Sequence, residues 1–373
     1  MDGTWVERLR WGAAVLVAVV AGSVGAVVVA GNGDGDGSGA AGGGDAVAGP
    51  DDSRSPAVDP GEWEQVVPGG DCQCSDGSEF HFWVRRADPD KVLVFLQDGG
   101  NCFSADTCSP ERGLYTPTIT EGPDRTGVFD FTDERNPFAD HSVLYVPYCT
   151  GDAHLGDATT EHAPGLTVRH KGLVNGTAAL DHLAATFPGA TDVVVMGESA
   201  GAVAAPLYAG LVADRLPDAR ITALANGAGG TPDLPAEVSE DMAASWGLAD
   251  VLPAWPATGA GPAERWSLVP RLFVEAARHD PDVVLARVDY AYDERQIRGG
   301  SLFGAQPGDL LGRIDANEAL IESAGVDLLS YVAPGDDHGV LSEGAFYSVT
   351  ASGRPLVEWV AGLVAGEAVG DVR

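Results

Sequence analysis

The chain has 373 residues, 45% of them hydrophobic, enough to bury one large core or two modest ones. It carries 55 acidic against 22 basic side chains, a formal net charge of -33. A field of that sign keeps a protein soluble and repels polyanions, which argues against a nucleic-acid partner.

Residues 11–31 form an apolar run without a charge, preceded by Arg8 and Arg10 and followed by Asp34 and Asp36. Basic residues before and acidic residues after such a run place everything downstream outside the cell. The length fits either a secretory signal peptide or an N-terminal membrane anchor, so residues 1–31 are read as one of these two. Any membrane contact is expected through this segment alone, with the rest extracellular or at the cell surface. Residues 32–62 are rich in Gly and Asp, with almost no large apolar side chain, and read as a disordered linker. Residues 63–373 are then the folded domain.

Five cysteines in an exported chain should be oxidised where geometry permits. Cys102 and Cys108 bracket a short loop and are the first expected pair. Cys149 is expected to pair with Cys72, or alternatively with Cys74, leaving one thiol over. A Cys-x-Cys spacing lacks the usual zinc spacer and has no second such pair, so no metal and no cofactor is expected.

Residues 80–85 alternate as a strand does, and 92–96, 142–147, 193–196, 221–225, 283–288 and 328–332 are short apolar runs. Helical patterns occupy 173–187, 202–216, 316–324 and 355–364, with Pro206 marking a kink or an early break in the second. Strands apolar on both faces, alternating with helices, predict an α/β fold with a mostly parallel sheet covered by helices on both faces. Residues 231–270, rich in Pro, Ala and Trp, read as either an inserted lid or a packed helical excursion.

The most informative stretch is Gly197-Glu198-Ser199-Ala200-Gly201, directly after the apolar run 193–196 and before a small-residue helix. This is the strand, sharp turn and helix of a nucleophile elbow, with Ser199 as the nucleophile. A serine hydroxyl needs an imidazole to take its proton and a carboxylate to orient that imidazole. Only His279 and His338 follow Ser199. His338 lies in a loop after the strand 328–332, where the base belongs, whereas His279 precedes a strand and reads as a helix-capping or surface residue. Asp293, beyond the strand 283–288, is the preferred acid and Asp289 its rival; Asp336 and Asp337 stand too close to His338 along the chain and read as turn formers. The oxyanion hole is assigned to backbone N–H groups of Ala200 and of Gly99 or Gly100. Asp98 beside that loop would oppose a developing oxyanion, so its side chain is expected to point away or to be neutralised. Asp152, His154 and Asp157 are read as part of a loop lining the site, fastened by Cys149, rather than as metal ligands.

Phe95-Leu-Gln-Asp-Gly-Gly-Asn-Cys-Phe, Pro147-Tyr-Cys-Thr-Gly-Asp, Gly197-Glu-Ser-Ala-Gly, Tyr290-Ala-Tyr-Asp-Glu-Arg-Gln and the late His338 together resemble the pectin acetylesterase family, which includes a bacterial branch and the Notum-type carboxylesterases. The resemblance implies an α/β-hydrolase fold, metal-free ester hydrolysis and Ser199, Asp293 and His338 as a triad. It departs from the family at Gln97-Asp98 and at Asn101, where a Glu and an aromatic residue are usual. The expected activity is that of an exported serine carboxylesterase of deacetylase type acting on an ester, with an acetylated glycan as the family-inspired substrate. A lipase or polyester depolymerase, and a non-catalytic surface-binding module on the same fold, are the alternatives.

Overall fold

The computed structural model describes residues 61–373 except 121, 252, 254, 256–268 and 303–308. The N-terminal apolar run and most of the acidic linker lie outside the described residues. Among those described, no helix is long and apolar enough to cross a membrane.

The principal strands are β1 (Trp63–Val66), β2 (Phe82–Arg85), β3 (Asp88–Leu96), β4 (His141–Val146), β5 (Ala158–Ala163), β6 (Leu166–His170), β7 (Asp192–Glu198), β8 (Arg220–Asn226), β9 (Val284–Tyr290) and β10 (Leu329–Ala333). Eight of them form one sheet in the order β1-β2-β4-β3-β7-β8-β9-β10. β1, β2 and β4 pair antiparallel, and from β4 across to β10 the neighbours run parallel. The parallel strands alternate their apolar side chains between two cores. Val193 and Val195 enter one and Val194 and Met196 the other, all without solvent exposure. Each such side chain contributes about 1.5–3 kcal/mol on burial.

The first core is covered by helices Gly172–Thr186, Ala200–Arg215 and Val269–His279; the second is covered by helix Leu356–Val364. In that helix Trp359 is fully buried and its indole N–H donates to Gly370 O at 2.8 Å. The tail then lies along the β10 edge, Val332 N and Val372 N exchanging bonds with Val372 O and Ser330 O, so the edge strand is not left open. The fold is an α/β-hydrolase with a mostly parallel sheet.

Pro206 sits inside helix Ala200–Arg215 without ending it. The segment 231–270 contributes helices Ala236–Trp246 and Leu248–Val251 and the start of Val269–His279. Met242, Trp246, Leu248 and Trp255 of this stretch join the first core, which makes its described part a packed excursion. Trp266 lies outside the described residues. His279 ends its helix, bonded to Asp214 at 2.8 Å and stacked on Trp255.

The cysteine pairing differs from the expectation at one position. Cys102 is joined to Cys108, but Cys149 is joined to Cys74, not Cys72. Ser75 N donates to Cys149 O at 2.8 Å, a register that sets Cys74 opposite Cys149. Two residues earlier, Gln73 exchanges two hydrogen bonds with the Asn175 side chain, which holds Cys72 against helix Gly172–Thr186 as a half-buried thiol.

Candidate active site

Ser199 stands between β7 and the helix that follows, at φ 50° and ψ -108°. A non-glycine residue rarely adopts this backbone; holding it there costs about 1–3 kcal/mol, which the surrounding packing must offset. The strand and helix cross almost in contact at this point. A Cβ on Gly197 would lie 2.2 Å from Gly201 O, and one on Gly201 would lie 2.1 Å from Leu96 O. Ser199 N donates to Asn226 O at 2.8 Å, tying the turn to the end of β8.

His338 follows β10, and Asp293 follows β9, both at the same end of the sheet as Ser199. The Asp293 carboxylate is fully buried and lies 2.7 Å from His338 Nδ1. Its Oδ1 accepts the backbone N–H of Arg295 and Gln296 at 2.8 and 2.9 Å, at the start of helix Glu294–Leu302. A carboxylate is an acceptor, so Nδ1 carries the proton and Nε2 is left as the basic nitrogen of the neutral ring. Asp289 is placed elsewhere. Its Oδ1 accepts from Gly229 N and Gln296 Nε2, Arg287 Nε stands 3.9 Å from its Oδ2, and burial holds its carboxyl above the usual range. Asp336 and Asp337 are exposed on the loop before His338.

Ser199 and His338 line one cleft of about 480 Å³ with Gly99, Gly100 and Ala200. Among the described residues the ring of His338 is hydrogen-bonded to Asp293 and not to Ser199, a contact that often closes only around a substrate. The backbone N–H groups of Gly99, Gly100 and Ala200 donate to no acceptor among the described residues. Gly99 packs so tightly on the Tyr148 ring that a Cβ would fall 2.1 Å from it. Asp98 also borders the cleft; its Oδ2 is 3.9 Å from Arg295 Nη1, and both side chains are exposed, so this pair is weak.

The loop carrying Asp152, His154 and Asp157 stands behind the glycine loop rather than lining the cleft. Asp152 is buried and accepts from Thr150 Oγ1, Gly156 N and Gly172 N; burial pushes its carboxyl up to about 6. His154 Nε2 donates to Gln97 O, which fixes the strand end before Gly99, and Asp157 pairs with Lys171 at 2.5 Å. Cys102, Cys108 and His170 also come within metal-ligand range of one another, but the two sulfurs are bonded together.

Three polar side chains at the site carry roles that the sequence does not announce. Glu198 accepts from Leu341 N, Ser342 N and the Ser342 hydroxyl, and Asn226 Oδ1 accepts from Val340 N, so both hold the loop that follows His338. Gln296 bonds both Asp289 and Asp293. The partners of Glu198 and Asn226 in the loop after His338 lie more than a hundred residues away, and Gln296 sits in an unpatterned helix. Only the -Asp-Glu-Arg-Gln- motif offers a signal, for Gln296.

A pectinacetylesterase pattern matches residues 67–231, a span that holds Ser199 and the glycine loop but ends before Asp293 and His338. A palmitoleoyl-protein carboxylesterase NOTUM from Schmidtea mediterranea is 28% identical over 142 residues, which are 35% of this chain and 26% of the relative. The chain thus spans about a quarter of that relative's length. An inactive palmitoleoyl-protein carboxylesterase notum1b from Danio rerio is 26% identical over 118 residues, 30% of this chain and 82% of the relative. The solved structure of the Wnt deacylase Notum from Drosophila superposes with a TM-score of 0.61 at 18% identity, covering 82% of this chain and 95% of that one. That likeness carries the fold. The resemblance to pectin acetylesterases and Notum-type carboxylesterases read from the motifs is shown by the family match and these relatives.

Proposed function

We propose that this α/β-hydrolase, which resembles pectin acetylesterases and Notum-type carboxylesterases, is an exported serine carboxylesterase, with Ser199 as nucleophile, His338 as base and Asp293 as its orienting acid. Ser199 Oγ attacks the ester carbonyl while His338 Nε2 takes its proton, and the Asp293 carboxylate stabilises the imidazolium. The negative charge that develops on the carbonyl oxygen is met by the N–H groups of Ala200 and of Gly99 or Gly100, which need not reorganise to receive it. His338 then returns the proton to the departing alcohol, and water releases the acyl group by the same steps in reverse.

The observation that carries this reading is the convergence on one cleft of a seryl turn at positive φ, a buried aspartate–imidazole pair and three unbonded backbone donors. The substrate class follows from charge. A chain at -33 repels polyanions, so an acetyl ester on a neutral glycan or a small neutral ester suits it better than an acidic polymer. Disulfides Cys74–Cys149 and Cys102–Cys108 agree with export into an oxidising compartment.

A second reading, a binding module that keeps the fold without turnover, draws on the inactive zebrafish relative. Hydrolysis of p-nitrophenyl acetate by wild type and by Ser199→Ala separates the two. Esterase function predicts a loss of at least about 10³-fold in kcat for the variant. Equal rates would leave only the binding module.

A further inference from the structure

We infer that Gln296 is a positioning residue that keeps Asp293 aligned on His338 by interposing one side-chain amide between two buried carboxylates. The inference rests on the esterase reading above. Asp289, near the end of β9, and Asp293, in the turn that follows it, are both fully buried. Two carboxylates in such surroundings repel each other, and each can relieve the repulsion by rotating away or taking up a proton.

The Gln296 Nε2 group has two protons and two acceptors, Asp289 Oδ1 and Asp293 Oδ2, each at 3.1 Å. Its Oε1 accepts Gly230 N–H at 2.9 Å. This pattern fixes which end of the amide is nitrogen, because the reversed amide would set its oxygen against two carboxylates and its NH2 against an N–H. The Asp293 oxygen that Gln296 holds is the same Oδ2 that faces His338 Nδ1. Gln296 N also donates to Asp293 Oδ1, so one residue holds both carboxylate oxygens and thereby the plane of the group.

The Gly230 bond extends the effect. Gly230 lines the cleft on the loop after β8, and the same side chain therefore ties that wall to the acid. On the far side Arg287 Nε stands 3.9 Å from Asp289 Oδ2 while its Nη2 pairs directly with Glu318, so its charge is shared between Glu318 and Asp289. Asp293 is held by hydrogen bonds from His338 Nδ1, two backbone N–H groups and this amide.

The test uses Gln296→Met, which keeps length and removes every side-chain hydrogen bond, and Gln296→Glu, which keeps the acceptor for Gly230 but turns a carboxylate toward both aspartates. Two readouts are needed: steady-state hydrolysis of p-nitrophenyl acetate, and the low-field proton resonance of the His338 Nδ1–H bonded to Asp293. Both variants are expected to lose about 10- to 100-fold in kcat with KM within about twofold, since alignment rather than binding is disturbed. The low-field resonance should shift or broaden in both. If Gln296→Met fails to fold, the nearly isosteric Gln296→Glu decides the matter by itself. Unchanged kcat and an unmoved resonance would overturn the inference. A fall in kcat with the resonance unmoved would also overturn it, leaving a merely structural glutamine. Failure of the underlying reading looks different, because Ser199→Ala would then hydrolyse the ester at the wild-type rate.

Discussion

Glu198, next to the predicted nucleophile, is buried, and burial raises its carboxyl above the usual range against three donors that favour the charged form. Its native state therefore takes up a proton more readily than the unfolded chain does. Its contribution to stability is largest below the ordinary glutamate value of about 4.3 and declines as pH rises through the raised one. Hydrogen bonding rather than charge is what the loop after His338 needs from it. Glu198→Gln can still accept from Leu341 N and Ser342 N and can donate to the Ser342 hydroxyl. It should keep kcat within about threefold and flatten the pH dependence of unfolding above about pH 4.3. Glu198→Ala should lose about tenfold or more in kcat as the loop loosens. A Glu198→Gln enzyme as damaged as Glu198→Ala would show that the charge itself is required. That Ser199, His338 and Asp293 stand at one end of the sheet could be expected from the sequence, because chain order and strand ends restrict where such groups can stand. The contacts of Glu198 and Asn226 could not, and those of Gln296 only through its motif, since they arise when β7, β8 and the loops after β9 and β10 meet.

At the scale of elements, the parallel strands were legible because burial on both faces writes an unbroken apolar run, as in β7 and β8. β5, with its sequence Ala-Thr-Thr-Glu-His-Ala, has no fully buried position and leaves no such mark. Helix Glu294–Leu302 buries only Gly300 among its nine residues and carries two adjacent glycines, so no helical stripe identifies it. The choice between Cys72 and Cys74 was settled by a main-chain bond from Ser75 to Cys149, which residue spacing does not encode. The helix after β7 also crosses β3 at close range, which yields a sharp expectation. In Gly201→Ala the new methyl would meet the backbone of Leu96 on β3, at 2.1 Å from its oxygen and 2.9 Å from its Cβ, none of which can swing aside. Either β3 or the helix must shift, at a cost of about 3 kcal/mol or more. Denaturant titration should show that loss with the slope unchanged. A variant as stable as wild type would mean that the two elements leave room for a methyl group between them.

At the scale of the whole molecule, the charge of -33 acts on any substrate before it reaches Ser199. Arg295 and Arg298 border the cleft, but Asp98 stands beside Arg295, and Glu294, Asp336 and Asp337 line its extension past His338. The local field is therefore not reversed at the mouth. Encounter with an anionic ester should be slowed by repulsion reaching about 10 Å at 0.1 M ionic strength and shortening to about 3 Å at 1 M. Raising the salt from about 0.01 M to about 1 M should then increase kcat/KM for an acetyl ester of an anionic alcohol severalfold, through the association step. The value for a neutral acetyl ester of similar size should stay within about twofold over the same range. Since only the approach is screened, kcat at saturation should not follow the salt for either substrate. Faster turnover of the anionic ester at low salt would show that the two arginines govern the cleft despite the surrounding carboxylates. The preference for neutral substrates would then have to be given up, while the geometry around Ser199 would stand.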